Sequence, residues 1–548
     1  MQQTDGPLTI GLAQVDTVVG DIEGNARRVT AGARSLDARY GVRLVVFPEL
    51  CLLGYPPDDL LLRPDLPGRI DAAVDRIAAE LQGSGIAVLV GLPLFEHGTR
   101  YNAAALLDGG ERVATVRKRC LPNYGVFDEK RYFSAGDQAV TARIDGRTVG
   151  LMICEDIWQP EPAGDLAGAG AEVILCPNAS PYHCDKSAER LAVARQRVRE
   201  TGCPLVYVNQ IGGQDDLVFD GDSFVLDAEG HETLRLPAFV EADAAVAWRA
   251  GTGLCPVDAL PSRPEPCEQA GSIYRALTLA VRDYVTKNGF EGVFVGLSGG
   301  IDSALVLAVA ADALGPERVT AVRMPSRHTA RMSLDDAAEE AALLGVRCET
   351  LSIEPAYEAF LDILAEPFSG MAADTTEENI QARCRGLLLM ALANKRNAIV
   401  LATGNKSEMA VGYATLYGDM AGGFAPLKDV SKTRVYALAR WRNGRSPAIP
   451  ERVLTREPSA ELAADQADSD SLPPYDVLDP ILEALVERDE SVEDIAAAGG
   501  FERETVRRVA RMLVKSEYKR RQAAPGPKVS PRAFGRERRY PITSRYSM

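Results

Sequence analysis

Residues 296–303 read GLSGGIDS and lie between a short apolar run at 292–295 (GVFV) and a long one at 304–314 (ALVLAVAADAL). A strand, a glycine turn and a helix in this order predict a phosphate cradle, because backbone N–H groups at the start of a helix face an anion. No Lys follows the glycines, as the G-x-x-x-x-G-K-[ST] motif would require. The stretch therefore predicts an α/β domain with a phosphate loop that is not the loop of ordinary ATPases or GTPases.

Short apolar runs alternate with longer helical patterns along the whole chain. The runs are LTIGLAQ, VRLVVF, IAVLVGL, TVGLMIC, VILC and PLVYVNQ in the first half, and GVFVGL, RVTAVRM and AIVLATG in the second. This alternation is typical of α/β structure in both halves. A Pro-rich polar stretch separates the halves, so we predict domains at 1–258 and 272–548 joined by a linker at 259–271.

Composition excludes several classes of protein. A chain of 548 residues is too long for one core, which predicts two large domains or three. The net charge of −16 argues against partners such as nucleic acid or an anionic membrane, and the apolar runs are too short to span a bilayer. The ten cysteines form no C-x-x-C pair and there are only four histidines, which disfavours a disulfide frame or a multi-His metal centre. We therefore expect a cytoplasmic protein.

Three segments of the first half each place a polar residue near the end of an apolar strand. RLVVFPEL contains Glu49, TVRKRCLPNYGVFDEKRYF contains Lys118, and TVGLMICEDIW contains Cys154. A thiol needs a base or a nearby cation to become a nucleophile, and no His is suitably placed in the sequence. A Glu base with a nearby Lys could serve instead. Taken singly, the three are equally well explained as a turn carboxylate, a solvated lysine and a core cysteine.

Together, in this order, the three segments resemble the nitrilase (carbon–nitrogen hydrolase) superfamily. The resemblance implies that Glu49 is the general base, that Cys154 is the nucleophile, and that Lys118 stabilises the oxyanion of the tetrahedral intermediate. It also implies a four-layer αββα sandwich for the first domain.

Two further segments resemble the glutamine-using branch of this superfamily. LPNYGVFDE would place Tyr124 in the amide pocket, and NASPYHCDKSAER would place Ser180 and Lys186 on the amino-acid end of glutamine. A Gly commonly precedes this Lys in the family, whereas Asp185 precedes it here, so the shape of the loop differs.

The motif S-G-G-x-D-S resembles the N-type ATP pyrophosphatases, whose fold is a doubly wound parallel sheet. In that family the loop grips the pyrophosphate end of ATP while an acceptor attacks the α-phosphate, which leaves an adenylate and pyrophosphate. Asp302 is a hard oxygen ligand suited to Mg²⁺. The residues that the resemblance places on ATP are Gly296, Leu297, Ser298, Gly299, Gly300, Ile301, Asp302 and Ser303.

The segment 378–429 closely resembles the NAD synthetases, and this resemblance implies that the acceptor is deamido-NAD. The resemblance implies that Thr403 contacts ATP and that Glu408 faces Mg²⁺ or the substrate. A helix from about 377 would put Asn379 and Arg383 on one face, four residues apart, where they would bind deamido-NAD.

Other positions of the second half follow from the same resemblance. The segment 517–530 (EYKRRQAAPGPKVS) would bring Lys519 to deamido-NAD, and Asp419 and Lys428 would lie near the nucleotides. From 515 to the end there are ten Lys or Arg against two Asp or Glu, which suits either a solvated tail or a basic arm over an anionic ligand. The Pro- and acid-rich stretch 456–479 is a lid, a binding loop or a passive linker.

The two resemblances imply an enzyme that hydrolyses glutamine and uses the ammonia, with ATP and Mg²⁺ and no prosthetic group, to amidate deamido-NAD through an adenylate. They also imply a homo-oligomer. Two alternatives stay open. One is an amidotransferase with a different acceptor, such as another nucleotide or tRNA. The other is an amidase whose second domain only senses ATP.

Overall fold

The computed structural model describes residues 7–249, 253–258, 268–459, 461–463, 468–470 and 472–546. The chain forms two compact units, one of residues 1–214 with 218–266 and one of residues 267–548 with 215–217. Residues 259–267 of the predicted linker lie outside the described residues, and a helix begins at Gln269, inside the last part of that predicted linker.

The strands of the described residues are short and mostly apolar. They are β1 (Leu8–Gln14), β2 (Leu44–Val46), β3 (Ala87–Glu96), β4 (Thr99–Asp108), β5 (Glu111–Arg117), β6 (Val140–Ile144), β7 (Arg147–Leu151), β8 (Val173–Asn178), β9 (Leu205–Asn209), β10 (Ile211–Gln214), β11 (Leu217–Asp220), β12 (Phe224–Leu226), β13 (Glu232–Arg235), β14 (Ala242–Arg249), β15 (Gly253–Pro256), β16 (Gly292–Gly296), β17 (Val319–Arg323), β18 (Arg347–Thr350) and β19 (Ala398–Leu401).

The helices of the same residues are mostly amphipathic. They are α1 (Ile22–Tyr40), α2 (Leu66–Leu81), α3 (Pro160–Gly168), α4 (Lys186–Thr201), α5 (Gln269–Lys287), α6 (Ile301–Leu314), α7 (Arg331–Leu344), α8 (Glu354–Leu364), α9 (Thr375–Lys395), α10 (Lys406–Val411), α11 (Lys432–Asn443), α12 (Glu451–Thr455), α13 (Tyr475–Val486), α14 (Val492–Gly499), α15 (Arg503–Lys515) and α16 (Glu517–Arg520). None of them is long and apolar enough to cross a membrane.

The first unit contains two large mixed sheets. Their strand orders are β15-β14-β1-β2-β3-β4-β5 and β13-β12-β9-β8-β7-β6. In each sheet the inner strands run parallel, β1 with β2 and β3 in one and β7 with β8 and β9 in the other. The carboxyl ends of parallel strands meet at one edge of a sheet, so polar residues that follow different strands come together there.

Side chains alternate between two cores in the first unit, as the period of a strand requires. On β8, Val173 and Leu175 join a core that draws on strands of both sheets, together with Ile10 of β1. Ile174 and Cys176 face the other way, into a core shared with helices α3 and α4. Helices α1 and α2 pack on β1 and β3 of the other sheet. This arrangement confirms the predicted αββα sandwich.

The second unit is built around a four-stranded parallel sheet of order β18-β17-β16-β19. Helix α9 packs on the face that carries Phe294, Val322 and Val400. Helix α6 follows β16 and packs against β16 and β17, and right-handed crossovers place these two helices on opposite faces. The fold is the predicted doubly wound sheet. Its strand order reverses at β16, and the crevice beside such a strand is where α/β sheets bind ligands.

Candidate active sites

Glu49, Lys118 and Cys154 meet at one edge of the first unit's sheets. Glu49 follows β2, Lys118 follows β5 directly, and Cys154 begins the short 3₁₀ turn Cys154–Trp158 after β7. The Lys118 Nζ atom donates a hydrogen bond to Glu49 Oε1 at 2.7 Å, and both side chains are buried. The structure therefore brings together three residues that come from well-separated segments of the sequence.

Cys154 has an unusual backbone and an unreactive resting thiol. Its φ of 45° lies in the left-handed region, which non-glycine residues adopt mainly where surrounding structure imposes it. Burial and the charge of Glu49 raise the pKa of the Cys154 thiol well above its usual range, and the Lys118 ammonium opposes them. A thiol in this setting stays protonated until a base removes its proton, and the Glu49 carboxylate is the neighbouring base.

Glu129 belongs to the same cluster, although the sequence analysis did not single it out. Its Oε1 accepts hydrogen bonds from Lys118 Nζ and from the Tyr55 hydroxyl, both at 2.8 Å. Burial raises the pKa of Glu129 to about 7, with Glu49 adding to the shift and Lys118 opposing it. Burial lowers the pKa of Lys118, but the two carboxylates outweigh burial and hold the pKa well above its ordinary value. The only sequence signal for Glu129 was its place in the segment 121–129.

The three residues predicted to bind glutamine lie in different settings. Tyr124 is 57% exposed, and its hydroxyl donates to Glu155 Oε1 at 2.8 Å. Both residues line a cavity of about 630 Å³. Lys186 Nζ lies 4.0 Å from the centre of the Trp158 ring, and burial lowers the pKa of Lys186. Ser180 is buried, and its hydroxyl accepts a hydrogen bond from Arg190 Nε at 3.0 Å.

The glycine loop of the second unit lies at the point where the strand order reverses. It connects β16 to α6, and Thr403 follows the neighbouring strand β19. All eight residues of 296–303 line one cavity of about 270 Å³, and Thr403 and Glu408 line it as well. The structure thus gathers the predicted ATP residues around a single space, at the carboxyl ends of two adjacent strands.

Hydroxyl groups hold the loop in shape. The Ser298 and Ser303 hydroxyl oxygens lie 3.1 Å apart, and the Gly300 N–H donates to Ser298 Oγ at 3.2 Å. Ser303 Oγ donates in turn to the Gly300 carbonyl at 3.0 Å. These hydrogen bonds fix the turn, and the first N–H groups of α6, which have no partner within the helix, can face an anion.

Gly299→Ala is expected to destabilise this loop, whereas Gly300→Ala is not. Gly299 has a φ of +83°, and a Cβ there would lie 2.4 Å from the Ser333 carbonyl oxygen. At Gly300 the nearest atom to a Cβ is Ser298 Oγ at 3.4 Å, an ordinary contact. We expect Gly299→Ala to cost about 1–3 kcal/mol and to weaken ATP binding. Thermal unfolding and ATP titration of both variants measure this, and equal behaviour of the two would contradict it.

Asp302 and Glu408 converge on one ammonium group, that of Lys432, which the sequence analysis missed. Lys432 Nζ donates to Asp302 Oδ2 at 2.5 Å and to Glu408 Oε1 at 3.2 Å. Burial and the charge of Asp302 raise the pKa of Glu408 to about 8, while Lys432 opposes them. Two carboxylates that face one cation beside a phosphate loop are the hard oxygen donors that suit Mg²⁺, so these residues fit the predicted metal.

Comparison with known proteins identifies the family. Models of the carbon-nitrogen hydrolase and NAD synthase families match residues 9–244 and 273–523. The glutamine-dependent NAD(+) synthetase of Xanthomonas campestris pv. campestris (strain 8004) is 51% identical over 546 residues, 98% of each chain. The chain belongs to the glutamine-dependent NAD(+) synthetase family. It carries the glutaminase and NAD synthase domains of that family.

Other members of the glutamine-dependent NAD(+) synthetase family agree. The enzyme of Acinetobacter baylyi (strain ATCC 33305 / BD413 / ADP1) is 46% identical over 98% of each chain. The solved structure of the Acinetobacter baumannii synthetase in complex with ADP has a TM-score of 0.79 at 44% identity, over 98% of each chain. A synthetase structure from Cytophaga hutchinsonii shares the fold, with a TM-score of 0.82 at 23% identity.

The residues that the family resemblance places on deamido-NAD are dispersed. Glu408 lines the cavity beside the glycine loop, whereas Arg383 lines another cavity of about 570 Å³. The Thr415 hydroxyl donates to Asn379 Oδ1 at 2.7 Å. Lys519 Nζ donates to the Gly412 and Ala414 carbonyls at 2.8 and 2.6 Å. Asn379 and Lys519 thus both hold the segment that follows α10, the helix that carries Glu408.

Asp419 and Lys428, which the resemblance placed near the nucleotides, lie in different surroundings. Asp419 lines the cavity beside the glycine loop and accepts a hydrogen bond from the Thr415 N–H at 2.6 Å. Lys428 Nζ donates to the Ala524 carbonyl at 2.6 Å.

Much of the basic C-terminal segment is engaged inside the second unit. Lys528 pairs with Glu537 at 2.6 Å and Arg520 pairs with Glu517 at 2.9 Å, and all four side chains are largely buried. These charges neither form a solvated tail nor reach freely toward a ligand.

Part of the acid-rich stretch 456–479 borders the cavity beside the glycine loop. Residues 460, 464–467 and 471 lie outside the described residues. Of the others, residues 456–459 and Asp468 line the cavity, as does Glu461, whose carboxylate accepts a hydrogen bond from Ser333 Oγ at 2.6 Å.

Proposed function

We propose that the chain forms NAD from deamido-NAD, with glutamine as nitrogen donor and ATP as activating substrate, at two separate centres. The observation that carries the proposal is the coexistence on one chain of the Glu49–Lys118 pair beside the Cys154 thiol and of the Asp302–Glu408 pair beside a phosphate loop. The first centre can release ammonia from an amide, and the second can activate a carboxylate. Neither alone makes an amide at the expense of glutamine.

At the first centre, Glu49 takes the proton of Cys154 and the thiolate attacks the side-chain amide carbon of glutamine. The oxyanion that forms is stabilised by the ammonium of Lys118. The C–N bond then breaks, ammonia leaves with the proton from Glu49, and a thioester remains on Cys154. Water, deprotonated by Glu49, hydrolyses the thioester to glutamate and restores the thiol.

Glutamine is a free amino acid, so its recognition requires opposite charges for its ammonium and carboxylate groups. Glu155 and Lys186 offer such a pair, and the Lys186 charge is among those that act on Glu155. We assign Tyr124 to the wall of this pocket, because its hydroxyl bonds Glu155. Ser180 contributes through the Arg190 network that shapes the loop, in keeping with its buried hydroxyl.

At the second centre, a nicotinate carboxylate oxygen of deamido-NAD attacks the α-phosphorus of ATP, and pyrophosphate leaves. The loop 296–303 supplies N–H groups and hydroxyls to the phosphates, and Thr403 borders the same cavity. Asp302 and Glu408 would hold Mg²⁺, which when bound neutralises phosphate charge. Ammonia then attacks the acyl carbon and AMP leaves. The carboxylate oxygen, a poor leaving group by itself, thus departs as part of AMP.

Three residues are assigned to the binding of deamido-NAD. Arg383 would contact the ligand, and Asn379 and Lys519 would hold the segment 412–416 in place.

We also propose that the protein self-associates, because the apolar side chains of Leu387 and Met390 on α9 are exposed. Light scattering of the purified protein measures the subunit number.

Product analysis separates this proposal from its two alternatives. The protein is incubated with ATP, Mg²⁺, deamido-NAD and glutamine labelled with ¹⁵N in the side-chain amide. Labelled NAD together with equimolar AMP and pyrophosphate is expected. Glutamate and ammonia without pyrophosphate would indicate an amidase with an ATP-sensing domain. Pyrophosphate that appears only with another acceptor would indicate a different amidotransferase.

Glutamine hydrolysis is expected to fall as the pH drops through about 7, because Glu129 then becomes protonated. Burial raises the pKa of Glu129 to that value, and the ionised carboxylate is one of two that hold the Lys118 ammonium. Glu129→Gln should hydrolyse glutamine more slowly but without the inflection near pH 7. Rates of glutamate release between pH 5.5 and 9 measure this, and an unchanged inflection in the variant would assign it to another group.

A further inference from the structure

Asn102, on β4, is a fully buried amide between the two carboxylates of the glutaminase centre. Its Nδ2 atom donates to Glu49 Oε1 at 2.7 Å and reaches Glu129 Oε2 at 3.5 Å. The amide nitrogen must face this pair, because the opposite orientation would set the Asn102 carbonyl oxygen against carboxylate oxygens. The Oδ1 atom has no hydrogen-bond partner among the described residues.

The donors around Glu49 are divided unequally between its two oxygens. Oε1 accepts from both Lys118 Nζ and Asn102 Nδ2, each at 2.7 Å. Oε2 accepts from the Ala179 backbone N–H at 2.9 Å. A carboxylate has about four lone-pair sites. Oε1 is therefore saturated, and the remaining site belongs to Oε2.

The free site on Oε2 is the one left for the proton of Cys154. Ala179, which bonds Oε2, follows β8, and Cys154 follows β7, the parallel neighbour of β8, so both residues lie at the same sheet edge. Because Lys118 and Asn102 occupy Oε1, Oε2 is the oxygen with a free site for a proton that leaves the sulfur.

We propose that Asn102 is a positioning residue for glutamine hydrolysis: it saturates Glu49 Oε1 and fixes the carboxylate so that Oε2 receives the proton of Cys154. This inference rests on the proposed roles of Glu49 and Cys154. Asn102 itself touches no reacting atom and acts through Glu49. Its second contact, with Glu129, links the Glu49 and Glu129 carboxylates and Lys118 into one hydrogen-bonded cluster.

The side chains in and around this hydrogen-bonded cluster come from several elements. Lys118 lies at the end of β5, Glu129 in its own short turn, and Tyr55 in the loop after β2, where its hydroxyl bonds Glu129. Cys154 and Glu155 lie in the turn after β7. Of these groups only Lys118 and Asn102 donate to Glu49 from side chains, so removal of the Asn102 amide leaves Oε1 with a single donor.

The test uses the full chain with Asn102→Leu, which keeps the approximate shape but lacks the donor, and Asn102→Asp, which keeps the shape and adds a carboxyl group. We expect Asn102→Leu to lower kcat for glutamine hydrolysis about 10- to 100-fold, the size of one hydrogen bond to a charged group, with little change in KM. Its acid limb should move to higher pH, because Glu129, whose protonation sets that limb, loses its contact with the Asn102 amide. Alkylation of Cys154 by iodoacetamide should slow in parallel.

The Asn102→Asp variant distinguishes a positioning role of Asn102 from a role in packing alone. At neutral pH a third carboxylate beside Glu49 and Glu129 should make it slower than Asn102→Leu. Its rate relative to the parent at the same pH should recover as the pH falls and the introduced carboxyl becomes a donor. Equal losses in both variants with an unchanged pH profile would overturn the inference, as would wild-type rates in Asn102→Leu. Should Asn102→Leu fail to fold, the pH dependence of Asn102→Asp decides alone.

Two controls keep this result distinct from the proposed function. Gln14→Met removes another buried amide of the same unit, one that bonds the Pro237 and Val240 carbonyls and Ser223 rather than the two carboxylates, and it should leave the pH profile unchanged. Cys154→Ala reports on the nucleophile itself. If Cys154→Ala is inactive with glutamine while the Asn102 variants behave like the parent, only the inference about Asn102 fails.

Discussion

Cys154→Ala is expected to abolish NAD formation from glutamine, by at least about 10³-fold, and to leave NAD formation from ammonium salts intact. The Cys154 thiol is a group on which both the Glu49 carboxylate and the Lys118 ammonium act, as a thioester-forming nucleophile requires. The second unit would still receive ATP, Mg²⁺ and deamido-NAD. Free ammonia can attack the acyl adenylate, so this activity should rise with pH as ammonium loses its proton.

Measurement of NAD from each nitrogen donor, on protein with the circular dichroism spectrum of the parent, decides this prediction. Cys154→Ser should be nearly as inactive with glutamine, because a hydroxyl has a much higher pKa than a thiol and Glu49 is a weak base for it. Cys203→Ala is the matched control, since Cys203 is another buried free thiol of the same unit. Parent activity with glutamine in Cys154→Ala would mean that another cysteine is the nucleophile.

Asp302→Asn should have the opposite selectivity, with loss of NAD formation from both glutamine and ammonia by about 10²- to 10³-fold. The substitution keeps the shape of the side chain and removes one of two carboxylates that face the Lys432 ammonium. The site then loses charge where Mg²⁺ and the phosphates of ATP must be balanced. Glutamine hydrolysis should persist, because its residues belong to a different compact unit.

Pyrophosphate release and glutamate release, assayed on the same preparation, provide the two readouts. Asp312→Asn is the matched control, because Asp312 lies on the same helix and bonds Tyr274 and Arg442 rather than the loop. Equal and complete loss of both activities in a folded Asp302→Asn protein would show that the two centres are not separable.

The sequence was sufficient to predict the fold, and it singled out residues that the structure brings together in each candidate centre. Alternating apolar runs predict α/β structure because buried parallel strands and amphipathic helices have different periods. Glu49, Lys118 and Cys154 could be found because each lies near a strand end within a recognisable segment. The stretch 296–303 predicted the phosphate loop for the same reason, since every residue of that loop is local in sequence. Helix α9 begins at Thr375, two residues before the predicted position.

The groups that orient these residues were decided only by the tertiary structure. Asn102 lies in none of the quoted segments, and nothing within the segments 121–129 and 178–190 singled out Glu129 or Ala179. These groups reach Glu49 or Lys118 because sheet pairing brings distant segments to one edge. Lys432 lies 130 positions from Asp302 in the sequence, yet its ammonium group donates a hydrogen bond to the Asp302 carboxylate. Buried charges require partners, and the partner is chosen by proximity in space and not by spacing along the chain, so sequence patterns predict the reactive groups but not the groups that hold them in place.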